Sequence, residues 1–213
     1  CTVLDGVYKR TGKINIVSAG RTEGITLNIG FDNSEAYSAW KAKKLNSITL
    51  PSISGGTVSG LMSSINWFFT DSHEDFAIFQ IVVKNDSKDG TYYPQYINRI
   101  TLDSNGEYAL CYQARTETLL INDTPTETSL PEGYGVAPFL YVHRVLDFIF
   151  SEFGYTITEN PFKTDKELSS LVILNNAADC CVTGILNYAD LMPDCTIEDF
   201  LNALYVRFGL VYN

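Results

Sequence analysis

The side chains best suited to acid–base chemistry in this sequence are its two histidines, His73 and His143. His73 lies in the acidic run Asp71-Ser72-His73-Glu74-Asp75, whose carboxylates have the chemistry to hold a divalent cation. The run lacks the spacing and the central glycine of a calcium loop, which favours a solvated loop. His143 lies between Val142 and Arg144 in an apolar segment, where a packed histidine is the simpler interpretation. Neither histidine therefore predicts a catalytic or metal site.

Paired carboxylates are the second group with catalytic potential, because two acids suffice for the hydrolysis of a glycosidic bond. The pairs Glu198-Asp199 and Asp165 with Glu167 are explained more simply by helix starts and surface charge. The sequence contains no G-x-S-x-G, P-loop, dinucleotide-binding or H-E-x-x-H motif. We therefore predict that the chain is not an enzyme and uses no cofactor. A carboxylate-based hydrolase ranks third, after the two non-enzymatic hypotheses given below.

A tyrosine-rich patch, Tyr92-Tyr93-Pro94-Gln95-Tyr96, is the clearest candidate for a binding surface. Tyrosine rings stack on sugars and anchor protein interfaces, and they are also common strand residues. Packing within a strand is the simplest interpretation. A role of Tyr92, Tyr93 and Tyr96 in a protein interface or a ligand patch remains open.

The cysteines are Cys1, Cys111, Cys180, Cys181 and Cys195. They show no C-x-x-C spacing and have no histidine nearby, so buried or half-buried free thiols are expected. The alternative is that Cys1 is the lipidated residue of a bacterial surface lipoprotein or carbohydrate-binding module, with the tyrosine patch as its ligand face. The chain begins without Met and ends in the apolar run Leu210-Val211-Tyr212, so we expect a processed chain whose parent continues beyond Asn213.

Composition restricts the partners of the chain. Lys and Arg total 15 against 25 Asp and Glu, a net charge of -10, which disfavours binding to a phosphate backbone. We therefore predict no contact with nucleic acid. No apolar run approaches the roughly 20 residues that span a bilayer, so no membrane span is predicted.

The first half of the chain has the alternation of apolar and polar residues that is typical of antiparallel β-structure. Ile14 and Ile16, then Ile25, Leu27 and Ile29, follow this pattern and predict a β-meander or barrel-like part. Helices are predicted over 34–45, starting at Ser34, and around 61–69, where Trp67, Phe68 and Phe69 could equally begin a strand. Residues 1–121 are thus expected to form a mainly β domain with one or two helices.

Two further β elements are predicted in this half. Residues 76–84 read as a buried strand. Residues 96–102 should pair with 107–112 in a hairpin, because Asn105-Gly106 favours the positive φ angles of its turn.

The second half of the chain is predicted to be helical. Residues 122–135 are polar with two prolines and predict an exposed connection at a domain boundary. Residues 136–213 then form a helical or α+β subdomain that continues beyond the end of the chain. The predicted fold class is therefore α+β.

Two segments of this half, 145–157 and 200–212, each consist of an apolar helix, Phe-Gly and a β-like run. Gly154 and Gly209 fit the left-handed conformation that ends many helices. Pro138 suits the first turn of one helix, and Thr196 with Asp199 forms an acidic capping box for the other. We therefore predict two helix-Gly-strand units.

The second half also carries a family resemblance. The runs Val136-Ala137-Pro138-Phe139-Leu140, Gly154-Tyr155-Thr156-Ile157, Leu171 to Asn176, Leu191 to Leu201 and Phe208-Gly209-Leu210 resemble structural proteins of the tail modules of Bacteroidetes phages and prophages. A helix that ends in Phe-Gly-Leu is also similar to baseplate hub and tail-associated proteins, whose β-barrel domains form a ring. The resemblance implies a ring-forming homo-oligomer of the virion tail that contacts neighbouring tail proteins. It also implies assembly in the cytoplasm of the bacterial host, with no cofactor and no catalytic signature.

Overall fold

The computed structural model describes residues 2–5, 8–20, 24–31, 41–65, 73–82, 96–121 and 124–209 of the chain. The strands are β1 (Thr2–Asp5), β2 (Tyr8–Gly20), β3 (Gly24–Phe31), β4 (Ser52–Ser54), β5 (Phe76–Ala77), β6 (Ile81–Val82), β7 (Tyr96–Ile97), β8 (Ile100–Leu102), β9 (Tyr108–Leu110), β10 (Arg115–Ile121), β11 (Thr124–Leu130), β12 (Phe139–Leu140) and β13 (Ile185–Asn187). The helices are α1 (Val58–Ile65), α2 (Val142–Glu152), α3 (Pro161–Thr164) and α4 (Ile197–Phe208), with 3-10 turns at Leu45–Ser47, Leu168–Ser170 and Tyr188–Leu191. Mixed helices and antiparallel strands confirm the α+β class at this coarse level.

The chain divides into two compact units, which differ from the predicted domains. One unit comprises Cys1–Lys44 with Cys195–Asn213, and the other comprises Leu45–Asp194. The C-terminal segment joins the first unit because Thr196 forms a β-bridge with Lys44 and the Ile197 N–H donates to the Lys43 carbonyl at 3.0 Å. The division thus depends on backbone pairing between residues far apart in the sequence, and no change in composition marks it.

The first unit contains an antiparallel sheet in the order β1-β2-β3. β1 pairs with Tyr8–Thr11 of β2, and β3 pairs with Gly12–Gly20, with a register irregularity between Ile16 and Ser18. The sheet is open, so the described strands close no barrel of the kind that the alternation suggested. Residues 34–40 of the helix predicted over 34–45 lie outside the described part. Of the remaining residues of this segment, 41 and 42 are α-helical.

The second unit holds five two-stranded sheets among its described strands: β10-β11, β12-β5, β13-β4, β6-β7 and β8-β9. Apolar side chains of these strands and of α1 and α2 are buried together, and Leu61, Phe76, Phe139, Ile149 and Leu186 are at most 1 % exposed. In α2, the buried residues Val142, Val145, Leu146 and Ile149 recur at the three- and four-residue spacing of an amphipathic helix. The helix predicted around 61–69 is present as α1, and residues 66–69 lie outside the described part.

The predicted hairpin forms, but with a shorter ladder and a different turn. β8 pairs with β9, and in the turn only Gly106 has a positive φ, +80°. The carboxylate of Asp103 accepts the N–H groups of Asn105 and Glu107 at 2.8 and 2.9 Å, which holds the turn without a positive φ at Asn105. The ladder stops at Ile100 because Asn98 has φ 55° and breaks the strand.

The buried strand predicted over 76–84 is interrupted. β5 pairs with β12 and β6 pairs with β7, and residues 78–80 between β5 and β6 form no strand. Residues 83–84 lie outside the described part. The apolar run therefore serves two separate sheets rather than one strand.

The stretch expected to be a connection at 122–135 is mostly a strand. β11 pairs with β10 along its whole length, with Thr118 opposite Glu127. Along β11 the side chains of Thr126 and Thr128 are half-buried and Leu130 is buried, while the residues between them are exposed. This period of two is visible in the sequence, but the proline Pro125 and the polar composition conceal it. A proline is tolerated in an edge strand because no neighbour needs its missing N–H.

The start and end of α4 follow the predicted cap chemistry. The Asp199 N–H donates to the Thr196 hydroxyl at 3.1 Å, and the Thr196 N–H donates to the Asp199 carboxylate at 3.4 Å. The helix ends at Gly209, whose φ of +68° is left-handed. The capping box and the glycine stop are therefore confirmed, and the strand predicted after Gly209 lies outside the described residues.

The first predicted helix-Gly-strand unit is only partly present. α2 begins after Tyr141, and β12 separates it from Pro138, so this proline does not occupy the first helical turn. Gly154 has the predicted positive φ, +76°. The Tyr155 N–H then donates back to the Phe150 carbonyl at 2.9 Å, and residues 155–157 form no strand. The helix stop is local chemistry, whereas a strand needs a partner that this segment does not meet.

Candidate functional site

A polar constellation among the described residues of the second unit is centred on Asp75, which is 8 % exposed. Its carboxylate accepts one hydrogen bond from Arg144 Nε at 2.5 Å and another from the Tyr188 hydroxyl at 2.9 Å. Arg144 also donates to the carboxylate of Asp147, one turn further along α2, at 3.4 Å. We call Asp75, Arg144, Asp147 and Tyr188 the Asp75 cluster.

Three elements position the Asp75 cluster. Asp75 directly precedes β5, and its backbone carbonyl accepts the Tyr141 N–H at 2.9 Å, which brings the start of α2 to it. Arg144 projects from the first turn of α2. Tyr188 begins the 3-10 turn that follows β13 and is 1 % exposed. The cluster thus ties together segments 69 and 113 residues apart in the sequence.

Aromatic rings surround the charged groups. The Arg144 guanidinium lies 5.4 Å from the centre of the Phe148 ring, a cation–π geometry. The Tyr188 ring meets Phe76 and Phe148 edge to face, with ring centres 6.1 Å apart in both pairs. His73 stacks on Phe76 at 3.9 Å and accepts the Asp75 N–H at Nδ1. This shell limits water around the ion pair and strengthens its electrostatics.

Burial and charge shift the titration of the cluster. Burial raises the pKa of Tyr188, and the nearby Asp75 carboxylate raises this pKa further, so the phenol stays protonated as a donor. Burial alone lowers the pKa of Arg144, but the hydrogen bond and charge of Asp75 outweigh it and hold the pKa above its ordinary value. The Asp75 cluster therefore consists of a guanidinium cation between two carboxylates, with a neutral phenol that donates to one of them.

Each histidine is a close sequence neighbour of the Asp75 cluster, His73 of Asp75 and His143 of Arg144. Burial lowers the pKa of His73 and of His143, against the opposing charges of nearby carboxylates. The buried Nδ1 of His143 has no hydrogen-bond partner in the described part of the chain, and its ring lies 5.2 Å from that of Tyr141. Both rings are half-buried and packed against aromatic side chains, which agrees with the interpretation of His143. His73 was expected in a solvated loop and instead stacks on Phe76.

The contacts of the Asp75 cluster support a structural role. Each oxygen of Asp75 accepts one hydrogen bond, from Arg144 at one and from Tyr188 at the other. Within the described ranges, no group of three His, Cys, Asp or Glu side chains is placed to hold a metal ion. The arrangement fixes three chain segments in one geometry, which is the role of a buried polar network in a specific core.

A second buried network is built on Asn98, which is 0 % exposed. Its side-chain amide donates to the carbonyls of Ala137 and Phe79 at 2.8 and 3.2 Å and accepts the Ala137 N–H at 2.8 Å. Its backbone N–H donates to Gly135 at 2.8 Å. Asn98 therefore replaces a piece of β-ladder at the point where β7 ends and the chain turns with φ 55°.

A third network anchors the β10-β11 hairpin. Glu117 accepts from Arg115 Nε at 2.5 Å and from Arg99 Nη1 at 3.3 Å. Arg115 also donates to the Tyr134 carbonyl at 3.1 Å. Arg115 and Glu117 lie two residues apart on the less exposed face of β10. Their contacts connect this face of the hairpin to Arg99 and to the carbonyl of Tyr134.

The structure places only one of the predicted patch residues. Tyr96 is half-buried in β7, opposite Val82, whereas Tyr92 and Tyr93 lie outside the described residues. In the acidic run, Asp71 also lies outside the described part, and Asp75 is committed to the cluster. The described cysteines are free thiols, with Cys180 and Cys181 buried and Cys111 and Cys195 half-buried, as predicted.

Sequence reasoning missed the Asp75 cluster and Asn98, because their partners are distant in the chain. One signal was present: Arg144 is a cation within an apolar helical segment, and such a residue needs a counter-charge when its helix is buried.

Comparison with known proteins gives no significant match to a protein-family model, to a curated protein or to a solved structure. Among the described helices, none combines the length and apolar character that crossing a bilayer requires.

Proposed function

We propose that this chain is a structural subunit of a phage or prophage tail, at the baseplate or hub, that acts by self-association and by contacts with neighbouring tail proteins. In this proposal it assembles in the cytoplasm of the bacterial host and becomes part of the virion. The resemblance of residues 136–213 to tail proteins suggests the class. The observation that carries the proposal is the number of open strand edges.

The open edges are clearest in β2. This strand has 13 residues and extends about 43 Å at the usual rise per residue. β1 covers only Tyr8–Thr11, so over Gly12–Gly20 β2 pairs with β3 alone among the described strands. A two-stranded ribbon is marginally stable in water by itself, and an unpaired edge is a template for another strand. The ribbon that Gly12–Gly20 forms with β3 is about 30 Å long and is suited to completing a sheet with a neighbouring subunit.

A ring would also account for the missing barrel closure. The β1-β2-β3 sheet is open, and in a ring of copies the strands of adjacent subunits would continue it around the axis. We propose that the barrel expected from the resemblance is formed in this way between subunits. The Asp75 cluster then serves to keep the second unit rigid within the assembly.

Light scattering over a wide protein concentration range tests the proposal. A closed ring such as a trimer or hexamer, with a mass independent of concentration above its assembly threshold, is the expected result. Negative-stain electron microscopy of the same sample should show rings with a central opening. A strict monomer at every concentration, including with a lysate fraction of the neighbouring tail proteins added, contradicts the proposal.

A further inference from the structure

The outer edge of β10, the edge that faces away from β11, is a second open strand edge. In the described part of the chain β10 has no neighbour except β11. Outside the hairpin ladder, no backbone hydrogen bond involving Thr116 or Thr118 is present among the described residues. The side chains of both threonines are exposed. This edge therefore offers regular, solvent-accessible backbone groups.

The position of Pro125 determines which backbone groups point outward. Pro125 lies opposite Leu120 in the ladder, and a proline has no N–H to donate. The pair is therefore a non-hydrogen-bonded one, so the backbone groups of Leu120 point away from β11. Because this orientation alternates along a strand, Thr116 and Thr118 also present their N–H and C=O groups to the outer edge.

The same proline protects the other edge of the hairpin. Pro125 places a ring where the outer edge of β11 would need an N–H, and proline is a common device against pairing at strand edges. The two edges of one hairpin thus differ: that of β11 is blocked and that of β10 is open. An added strand therefore meets an uninterrupted row of backbone donors at β10 and an interrupted row at β11.

We propose that the outer edge of β10 pairs antiparallel with the same edge of a second copy of this chain, about a two-fold axis at Thr118. This inference rests on the self-association proposed above and specifies one contact. Thr118 is the central residue of the seven-residue strand, so the register that pairs Thr118 with its copy overlaps the two strands completely. Residues 116 and 120 then face each other across the axis, and all three outward positions exchange hydrogen bonds.

Side-chain chemistry favours this register. Glu117 lies opposite Leu119 of the second copy, and Arg115 lies opposite Ile121, so no like charges meet. Thr118 meets Thr118, a favourable cross-strand pair. The result is a four-stranded sheet in the order β11-β10-β10-β11, whose two outer edges both carry Pro125. The pairing therefore closes after two copies and links two subunits without growing into a fibre.

Charge substitutions at the axis test the inference, because at a two-fold axis each substitution faces itself. Thr118→Lys and Thr118→Glu each place like charges opposite each other and should raise the dissociation constant of the pair at least about tenfold. An equimolar mixture of the two variants should recover wild-type association, since Lys then faces Glu. Ser129→Lys is the matched control: it adds the same charge to an exposed position of β11, at the blocked edge. Analytical ultracentrifugation measures association, and circular dichroism verifies that each variant is folded.

Each outcome is decisive. Loss of the pair in both single variants with recovery in the mixture supports the β10 contact. Association of Thr118→Lys at wild-type strength, or equal weakening by Ser129→Lys, overturns it while leaving self-association through other edges in place. A wild-type protein that is monomeric throughout overturns both this inference and the proposed function.

Discussion

Replacement of Tyr188 by phenylalanine probes the Asp75 cluster most directly. The ring is 1 % exposed and contacts Phe76 and Phe148, and Phe keeps these contacts because only the hydroxyl is removed. The loss is the hydrogen bond of 2.9 Å to the Asp75 carboxylate. A hydrogen bond to a charged group contributes about 1.5–3 kcal/mol, and Asp75 is too buried for water to replace the lost donor readily. We therefore expect Tyr188→Phe to lower the free energy of unfolding of the second unit by about 2 kcal/mol.

Urea unfolding followed by circular dichroism measures this change. At a slope of about 2 kcal/mol per molar urea, the midpoint should fall by about 1 M, with the slope itself unchanged. Tyr155→Phe is the matched control in the same unit, because Tyr155 is 51 % exposed and its replacement should change the free energy by less than about 0.5 kcal/mol. If Tyr188→Phe is as stable as Tyr155→Phe, the cluster does not stabilise the fold and the reasoning is refuted.

Three further predictions follow from the same structure. The pKa of Tyr188 is raised above its unfolded value, so its contribution to the free energy of unfolding should be complete below about pH 10 and decrease as the pH rises further. Urea midpoints measured from pH 8 to 11 should therefore fall less in Tyr188→Phe than in the wild-type protein. Gly106 and Gly133 have nearly the same φ, +80° and +83°, but a Cβ at Gly133 would lie 2.9 Å from the Cys181 carbonyl oxygen and one at Gly106 meets nothing within 4 Å. Gly106→Ala should thus cost about 1 kcal/mol and Gly133→Ala clearly more, and equal losses would contradict the crowding. Asn98→Ala should destabilise by about 3 kcal/mol or more in thermal or urea unfolding, because it removes two buried hydrogen bonds and one partly buried one and keeps a strained φ. Asn98→Gly relieves only the strain and should recover about 1 kcal/mol of this loss; no recovery would show that φ 55° is not strained.

The two-fold contact through β10 and a ring built through other edges are compatible. A ring requires a heterologous contact between different surfaces, whereas a two-fold contact joins identical ones. An assembly that uses both has dihedral symmetry, with two rings facing each other. The mass of the wild-type particle and of Thr118→Lys should then differ by a factor of about two.

Local chemistry made some elements predictable from the sequence. The capping box of Thr196 with Asp199, the glycine stops at Gly154 and Gly209 and the β8-β9 hairpin all depend on groups within a few residues of one another. Helix caps, turns and left-handed glycines are stabilised by contacts within one helical turn or one strand pair. One local signal was misread: the alternation of Thr126, Thr128 and Leu130 in β11 was concealed by polar composition.

The partner of each strand could not be predicted from the sequence. Nothing near residues 155–157 reveals that this extended run finds no ladder, and nothing near Lys44 reveals that it bridges to Thr196. A strand is stable only with a partner, and the choice among partners is made by the whole fold, since every open edge offers the same backbone groups.

The α+β class, the capped ends of α4, the packed ring of His143 and the free thiols of the described cysteines could be predicted from the sequence. The contacts among Asp75, Arg144 and Tyr188, and those of Asn98 with Ala137 and Phe79, became visible only in the folded chain. The physical reason is the same in both cases. A buried polar group must find partners or lose the free energy of its hydration, and the sequence displays the group without displaying where in space its partner will be.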